Sequence, residues 1–479
     1  METSSTINER WKLCAIASFM GCLITLAGLK QMQSHDGITL SSFQNLTIFS
    51  ASSDDQPTPQ LKLTENGRPT TQITEEENVT ISAEFASKSL NFSENGKPRS
   101  QGEEENFSET GETRSQKDEK KQCNIFDGKW VHDPEANPLY HGFQCPFLSD
   151  QVSCQRNGRP DSDYEKWGWV ARECEIPRFN GTDMLERLRG KRVVLVGDSL
   201  NRNQWESLAC LLYSAIPPSR AFVDLQSGDY KVFKAKDYDC SVEFHWSPFL
   251  VQLDDSQAHG NRALRLDKLP ASARRWRGAS VMVFNSGHWW THTGKLKAWD
   301  FFELRGAVAE MEMESAFETA MNTWSNWINH NVDPNKTTVF FRSFSPEHKG
   351  KDWCFRETQP ITDESRVPSV PGSVITKIVE RAIEATRTRV RYLNVTRLSK
   401  YRRDAHPKVY TTKQGKLLIK QQQMQPESYA DCSHWCLPGL PDTWNSLLYA
   451  SLVLEDEQNQ SSSSSPLLYF EERNLSRNR

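Results

Sequence analysis

The stretch Lys191-Arg-Val-Val-Leu-Val-Gly-Asp-Ser-Leu-Asn-Arg-Asn-Gln-Trp205 joins an apolar run to an amphipathic segment. The apolar run Arg192–Val196 predicts a buried strand, and Leu200–Tyr213 predicts a helix. Gly197 permits a tight turn between them. Ser199 therefore stands at a strand-to-helix turn, where it is either a nucleophile or only part of a helix cap, because Asp-Ser is a common cap sequence.

Apolar strands and helices alternate along the rest of the chain. We predict strands at Ser280–Phe284, Thr337–Phe341 and Val390–Val395, and helices at Trp299–Ile328, Ser373–Arg387 and Pro441–Leu454. This alternation predicts an α/β fold with a mostly parallel sheet that is covered by helices on both faces. Sites in such sheets form beyond the carboxyl ends of the strands, and Ser199 follows one of those ends.

The segment Leu13–Leu29 contains no charged residue. Its 17 residues would make roughly 26 Å of helix, which suits a short membrane span. Arg10 and Lys12 precede it, so we expect residues 1–12 in the cytoplasm and the chain after residue 30 across the membrane. A cleaved signal peptide is the alternative, although its apolar core is usually shorter.

Residues 30–122 are polar and acidic; residues 31–122 hold 16 Asp/Glu against 9 Lys/Arg. Glu65-Asn-Gly-Arg-Pro69 recurs as Glu94-Asn-Gly-Lys-Pro98, a unit too short and too poor in apolar residues to stack as a solenoid. We predict a disordered, glycosylated stem here and a disordered Ser-rich tail over residues 456–479. With a net charge of −4, the chain gives no indication of a nucleic-acid partner.

Glycosylation sequons and cysteines both point to a lumenal location for the chain beyond the span. Nine Asn-x-Ser/Thr sequons occur, at Asn45, Asn78, Asn91, Asn106, Asn180, Asn335, Asn394, Asn459 and Asn474. Nine cysteines follow the span, at Cys123, Cys145, Cys154, Cys174, Cys210, Cys240, Cys354, Cys432 and Cys436. In an oxidising lumen they predict up to four disulfides and one free thiol, with the pairing left open. Cys240 opens a strand-like run and is predicted to be the free, buried cysteine.

Residues 123–176 contain four of these cysteines among many turn residues and aromatics. They predict a small disulfide-stapled N-terminal module with little regular structure. Its tryptophans could stack on sugar rings, but filling a thin core is the simpler use. The α/β domain then occupies residues 177–455.

A nucleophilic serine needs a base, and the base needs an orienting group. Four histidines lie near strand ends or in polar loops: His288, His348, His406 and His434. Asp431-Cys-Ser-His434 is the most attractive pattern, because an Asp three residues before a His lets one loop present both. Asp404-Ala-His406 is a competitor, but its two-residue spacing points the side chains apart in an extended segment.

Two further patterns have alternative interpretations. In Asn285-Ser-Gly-His-Trp-Trp290, Asn285 could donate its amide to an oxyanion and the tryptophans could line a sugar site. Capping by Asn285 and core packing by Trp289 and Trp290 are the simpler interpretations. Cys432-x-His434-x-Cys436 has ligands that zinc prefers, but a lumenal location favours disulfides, so we predict no metal.

Five segments together carry a resemblance to a known family. They are Gly197-Asp-Ser-Leu-Asn-Arg-Asn-Gln204, Asn285-Ser-Gly-His-Trp-Trp290, Arg342-Ser-Phe-Ser-Pro346, Asp404-Ala-His-Pro407 and Asp431-Cys-Ser-His-Trp-Cys-Leu-Pro-Gly-Leu-Pro-Asp-Thr-Trp-Asn445. In this order they resemble the plant trichome birefringence-like family, over about Cys123 to Leu454. That family is similar to SGNH/GDSL hydrolases and is implicated in O-acetylation of cell-wall polysaccharides in the Golgi.

The resemblance implies an SGNH/GDSL-like α/β fold and assigns roles to residues of this chain. Ser199 is implied as nucleophile, His434 as base and Asp431 as its orienting group. Oxyanion or substrate contacts are predicted at Asp198, Arg202, Asn285, Gly287, His288 and Trp289. The glycine block of bacterial SGNH enzymes has no clear counterpart here, which leaves part of the oxyanion hole unassigned.

The resemblance also implies a Golgi membrane-anchored polysaccharide O-acetyltransferase. Its partner would be a wall polysaccharide (xylan, pectin, xyloglucan or mannan). No bound cofactor is predicted, but an acetyl donor is required, with acetyl-CoA as a candidate. The alternatives are a non-catalytic protein that bridges pectin, for which a Ser-His-Asp set would be unnecessary, and a polysaccharide acetylesterase.

Overall fold

A computed structural model of the chain describes residues 123–255, 261–350, 353–367 and 374–463. The predicted cytoplasmic tail, membrane anchor and stem (residues 1–122) lie outside these ranges, as does the end of the predicted C-terminal tail. Within the described ranges, no helix is both long enough and apolar enough to cross a membrane.

The described residues form fifteen strands and eight α-helices. The strands are β1 Gly128–His132, β2 Trp167–Ala171, β3 Arg192–Gly197, β4 Ala221–Asp224, β5 Tyr230–Ala235, β6 Cys240–Trp246, β7 Gln252–Asp254, β8 Ala263–Arg265, β9 Val281–Phe284, β10 Phe301–Leu304, β11 Ala307–Ala309, β12 Thr338–Arg342, β13 Val390–Leu393, β14 Thr412–Lys413 and β15 Lys416–Leu417. The helices are α1 Gly181–Arg187, α2 Ser199–Tyr213, α3 Met313–Asn331, α4 Val374–Glu384, α5 Thr396–Lys400, α6 Lys420–Gln423, α7 Pro426–Tyr429 and α8 Leu440–Ser463.

The central sheet has the strand order β13-β12-β9-β3-β6-β5-β4. Its first five strands run parallel, and β5 and β4 add an antiparallel edge. Side chains of β3 alternate between two apolar clusters: Val193 and Leu195 pack with α2 and α8, whereas Val194 and Val196 pack with α3 and α4. The prediction of a mostly parallel sheet with helices on both faces is confirmed.

Two predicted elements differ from the structure. The single helix predicted over Trp299–Ile328 is wrong in its first part, where β10 and β11 form a hairpin before α3 begins. Arg305 and Gly306 both adopt positive φ, at 55° and 80°, and make the tight turn that joins these strands. At the C-terminus, α8 continues to Ser463, so the first residues of the predicted tail are helical.

The N-terminal module (residues 123–176) contains the antiparallel pair β1–β2 and one internal disulfide, Cys123–Cys174. Its other two cysteines pair with the α/β domain, as Cys145–Cys210 and Cys154–Cys436. The fourth disulfide is Cys354–Cys432. Cys240 is free and buried as predicted, and burial raises the pKa of its thiol to about 12.

Candidate active site

The turn between β3 and α2 places Ser199 at the first residue of the helix. Asp198 caps the helix, since its side chain accepts a hydrogen bond from the Leu200 N–H at 2.9 Å. A Cβ on Gly197 would lie 1.8 Å from Oδ1 of Asn285, so this close approach requires glycine. Because Asp198 is the cap, the Ser199 hydroxyl is left for a different partner.

His434 lies between Ser199 and Asp431. Its Nε2 is 2.8 Å from Ser199 Oγ, and its Nδ1 is 2.8 Å from Asp431 Oδ2. The backbone N–H groups of Ser433 and His434 both donate to Asp431 Oδ1 at 3.0 Å. A carboxylate in this position favours the ring tautomer with Nδ1 protonated, which leaves Nε2 able to accept the serine proton.

The Asp431 carboxyl is buried. Burial by itself raises its pKa, but the interaction with His434 and the hydrogen bonds from the Ser433 and His434 backbone outweigh that effect. Together they hold the pKa of Asp431 well below its usual range. Asp431 therefore remains an acceptor for the His434 ring at any pH near neutrality.

The loop 431–436 is fixed by covalent bonds on both sides of His434. Cys432 is bonded to Cys354 and Cys436 to Cys154. These two disulfides flank the histidine as the sequence predicted. Both sulfurs are thereby used, so neither cysteine offers a thiolate to a metal ion.

His348 and His406 lie beneath this loop. His406 Nδ1 is 2.6 Å from the carbonyl oxygen of His434, and its Nε2 is 2.7 Å from His348 Nδ1. Burial lowers the pKa of both His348 and His406. The two residues of the competing Asp404-Ala-His406 pattern thus have other partners. The Asp404 carboxylate pairs with Arg402 at 2.9 Å, and His406 bonds to the backbone of the loop.

Asn285 follows β9 and contacts the residue that precedes Ser199. Its Nδ2 donates to Asp198 Oδ1 at 2.8 Å, and its Oδ1 accepts from the Asp198 N–H at 3.2 Å. The first bond uses one of the two amide hydrogens. Asn285 thus orders the serine turn, and its role in oxyanion binding stays a prediction.

The segment after Asn285 lines the other side of Asp198. The His288 ring stacks on Phe344 with centroids 3.9 Å apart, and its Nδ1 is 3.7 Å from Asp198 Oδ2. Burial lowers the pKa of His288, with the Asp198 charge acting in the opposite direction. A Cβ on Gly287 would lie 3.1 Å from the Phe344 ring. Trp289 remains partly exposed.

Arg202 lies on α2 beside Ser199 and contacts the N-terminal module. Its Nη2 donates to Gln151 Oε1, and its Nε is 3.7 Å from Glu206. Burial lowers the pKa of Arg202, against the opposing effect of nearby carboxylates. Gln151 Nε2 in turn lies 3.2 Å from His434 Nδ1. Sequence reasoning missed Gln151, which lies 283 residues before His434 and has no local pattern to mark it.

A cavity of about 630 Å³ opens beside Arg202 and Gln151. Its walls come from the module, α2, β5 and the β14–β15 hairpin, and include Phe147, Gln151, Arg156, Arg202, Lys231 and Gln414. The volume lies within the range of ligand pockets, roughly 300–1,000 Å³. The module and the α/β domain therefore both line this space, which reaches Arg202 and Gln151.

Two family models match adjacent parts of the chain. One, described as the GDSL/SGNH-like acyl-esterase family found in Pmr5 and Cas1p, matches residues 176–451. The other, described as the PMR5 N-terminal domain, matches residues 121–175. Together they cover the module and nearly all of the α/β domain.

Three similar proteins come from plants. Protein trichome birefringence-like 1 of Arabidopsis thaliana is 41% identical over 355 residues, which is 71% of this chain and 63% of that protein. Protein trichome birefringence-like 3 of the same plant is 41% identical over 346 residues, or 69% of this chain and 80% of that protein. Xylan O-acetyltransferase 6 of Oryza sativa subsp. japonica is 41% identical over 351 residues, or 69% of this chain and 62% of that protein. The matched region thus spans somewhat less than two thirds of the first and third of these relatives.

Proposed function

The chain belongs to the GDSL/SGNH-like acyl-esterase family found in Pmr5 and Cas1p, and from that membership we propose that it is a polysaccharide O-acetyltransferase that works through acetyl-Ser199. The observation that carries the proposal is the contact of Ser199 Oγ with His434 Nε2, while Asp431 holds the other ring nitrogen. This is the constellation that activates a serine for acyl transfer.

The first half-reaction would load the serine. His434 Nε2 takes the Ser199 proton as Oγ bonds to the acetyl carbonyl carbon of a donor, for which an acetyl thioester such as acetyl-CoA is the candidate. His434 then gives the proton to the leaving thiolate, which departs as the thiol. The carbonyl oxygen would be stabilised by backbone N–H groups at the start of α2, with Arg202 and Asn285 as further candidate donors.

The second half-reaction would transfer the acetyl group to a sugar. His434 removes the proton of a sugar hydroxyl as its oxygen attacks the acetyl-serine carbonyl, and returns that proton to Ser199 Oγ when the ester bond breaks. The enzyme then regains its starting protonation state. If water takes the place of the sugar, the same residues perform an esterase reaction.

A plant cell-wall polysaccharide is the proposed acceptor. Relatives named xylan O-acetyltransferase 6 and probable xylan O-acetyltransferase 10, both from rice, put xylan ahead of pectin, xyloglucan and mannan. The cavity between the module and the α/β domain carries Arg156, Arg202 and Lys231 in its lining and is the candidate space for part of such a chain.

A Golgi-membrane location with the catalytic domain in the lumen is the proposed setting, with residues 13–29 as the anchor. Four disulfides among the described cysteines support an oxidising compartment. The sequon asparagines Asn180, Asn335 and Asn394 are exposed, as glycosylation requires.

The test is an acceptor panel for the full-length chain. Deacetylated oligosaccharides of xylan, pectin, xyloglucan and mannan are incubated with acetyl-CoA, and products are read by mass spectrometry alongside released acetate. We expect one acceptor to gain acetyl groups, and Ser199→Ala and His434→Ala to lower the rate by roughly 10⁴-fold or more.

Three other outcomes would count against the proposal. An active Ser199→Ala variant would remove the serine mechanism. Acetate release without acetylated product would indicate an esterase. Pectin binding that both variants retain, without turnover of any acceptor, would indicate a binding protein.

A further inference from the structure

The module segment 149–154 lies against the loop 431–436, which we call the catalytic loop. Cys154 is bonded to Cys436, and the Leu437 N–H donates to the Val152 carbonyl at 2.9 Å. On the opposite side, Thr411 Oγ1 donates to the Gln151 carbonyl at 2.9 Å. The backbone around Gln151 is therefore bonded to Cys436 and Leu437 on one chain segment and to Thr411 on another. Its side chain consequently has a defined direction.

The contact with Arg202 fixes which end of the Gln151 amide faces His434. A guanidinium group has only donors, so the atom that meets Arg202 Nη2 must be the Gln151 oxygen, Oε1. Nε2 then faces the His434 ring, 3.2 Å from Nδ1. The hydrogens of this amide present a positive edge to the imidazole.

Two groups thus meet His434 Nδ1 from different directions. Asp431 Oδ2, at 2.8 Å, accepts the Nδ1 proton and favours the imidazolium that forms when Ser199 is deprotonated. The positive edge of Gln151, backed by the Arg202 guanidinium, acts against that imidazolium. A base that must return its proton twice in each cycle needs both influences.

We propose that Gln151 is a positioning residue of the catalytic site, which packs against the His434 ring beside Asp431 and limits how strongly that ring retains a proton. The inference rests on the proposed function of the triad. It makes the N-terminal module a contributor to the active site, since residues 123–176 supply Gln151.

Other polar groups near the ring are accounted for. Ser199 faces Nε2, and His406 bonds the His434 carbonyl from beneath. Glu206 lies behind Arg202 at 3.7 Å, and Glu347 interacts with Ser433 on the loop itself. Gln151 is neutral, and its replacement by Glu changes the charge beside the ring with little change in shape.

The experiment measures how fast Ser199 reacts with a fluorophosphonate ester across pH, by mass spectrometry of the full-length chain. We compare Gln151→Ala and Gln151→Glu with the native chain. The matched control is Asn157→Ala, because Asn157 Nδ2 also bridges the module to the α/β domain, at 3.0 Å from the Tyr410 carbonyl, without touching the ring. Thermal unfolding midpoints establish that each variant is folded.

Gln151→Ala is expected to slow labelling of Ser199 roughly tenfold. A general base contributes about 10²–10⁴-fold to the rate, and a displaced His434 ring would lose part of that contribution. Gln151→Glu is expected to move the acid limb of the pH–rate profile to higher pH, because a carboxylate beside the imidazole favours its protonated form. Asn157→Ala should label at the native rate.

Unchanged profiles in both Gln151 variants, or equal slowing by Asn157→Ala, would overturn the inference. Rapid labelling of native Ser199 without acetylation of any polysaccharide would contradict the proposed function, while the Gln151 profiles would still decide the inference. A native Ser199 that takes no label at any pH would contradict both.

Discussion

The N-terminal module (residues 123–176) and the α/β domain (residues 177–455) are stabilised in different ways. The domain buries both faces of its sheet under its own helices. The module's buried residues Tyr140, Leu148 and Val152 instead pack with Leu211 and Leu437 of the domain. Two of its three disulfides also cross to the domain. A cysteine-rich stretch that looks self-contained in sequence is therefore a layer of the larger domain, and its Gln151 reaches His434.

The largest expected effect comes from removing the disulfide that joins the module to the loop that carries His434. Cys154 and Cys436 are 282 residues apart, so loop-closure entropy assigns this bond roughly 5.6 kcal/mol of unfolding free energy. The double variant Cys154→Ala/Cys436→Ala should lose that stability, measured by urea unfolding, and most of its acetyl transfer.

The control is Cys123→Ala/Cys174→Ala, which removes the disulfide that closes within the module. Its 51-residue separation corresponds to roughly 4 kcal/mol, so its stability loss should be about three quarters of the loss from the crossing bond. At a temperature where both proteins stay folded, it should keep its activity. Equal activity losses in the two double variants would contradict a special role for the crossing bond.

The next largest effect is expected for the variant Gly197→Ala in the domain. The added Cβ would meet Asn285 Oδ1 and force the serine turn to move. We expect at least hundredfold lower acetyl transfer, as for a small misplacement of a nucleophile, and a loss of about 1–3 kcal/mol in unfolding free energy. Gly168→Ala in the module is the control, since nothing lies within 4 Å of its added Cβ. A fully active Gly197→Ala enzyme would show that the turn tolerates displacement.

A smaller effect concerns the buried Asp442, which links the two regions. It accepts hydrogen bonds from Ser207 of α2 and Tyr140 of the module. Burial raises the pKa of Asp442 from 3.8 to about 6, against the opposing hydrogen bonds. The folded state therefore binds this proton more tightly than the unfolded chain, so the stabilisation is complete below about pH 4 and declines as pH rises to about 6.

Asp442→Asn mimics the protonated carboxyl and should remove this decline. Urea unfolding of the native chain and the variant at several values between pH 4 and pH 7 measures it. The gap between their free energies of unfolding should change with pH only in the window from about 4 to about 6. Parallel curves throughout would show that Asp442 does not titrate in that window.

The smallest expected effect concerns glycans. The sequon asparagines Asn180, Asn335 and Asn394 lie in the domain, and residues 123–176 contain no sequon. When the protein is expressed through the secretory pathway, these exposed residues should carry glycans. Peptide masses before and after glycosidase treatment detect them. Asn335→Gln should change the unfolding free energy by less than about 0.5 kcal/mol. Unmodified asparagines at all three sites would contradict the proposed lumenal location.

Much of the domain was readable from sequence because its signals are local. The run Val193–Val196 marks a strand by composition alone, and Asp431 and His434 share one short loop. The hairpin Phe301–Ala309 was missed because a short apolar run fits either a helix or a strand. Arg305 adopts a positive φ there, and arginine in a sequence does not indicate a positive φ.

Contacts between the two regions could not be read in this way. Gln151 and His434 are brought together by Cys154–Cys436, and nothing in sequence selects that pairing from the many that nine cysteines allow. Asn285 was identified as a site residue, yet its bonds to Asp198 depend on strands β3 and β9 being neighbours. Tertiary neighbours of this kind emerge only with the fold.

The most direct measurement is to look for the acetyl group on Ser199 itself. The full-length chain is incubated with acetyl-CoA in the absence of acceptor, digested and mapped by mass spectrometry. We predict one acetyl group on the peptide that contains Ser199, lost when the acceptor oligosaccharide is added and absent in Ser199→Ala. Acetylation of the oligosaccharide by a chain in which Ser199 never carries acetyl, or by Ser199→Ala, would contradict the account.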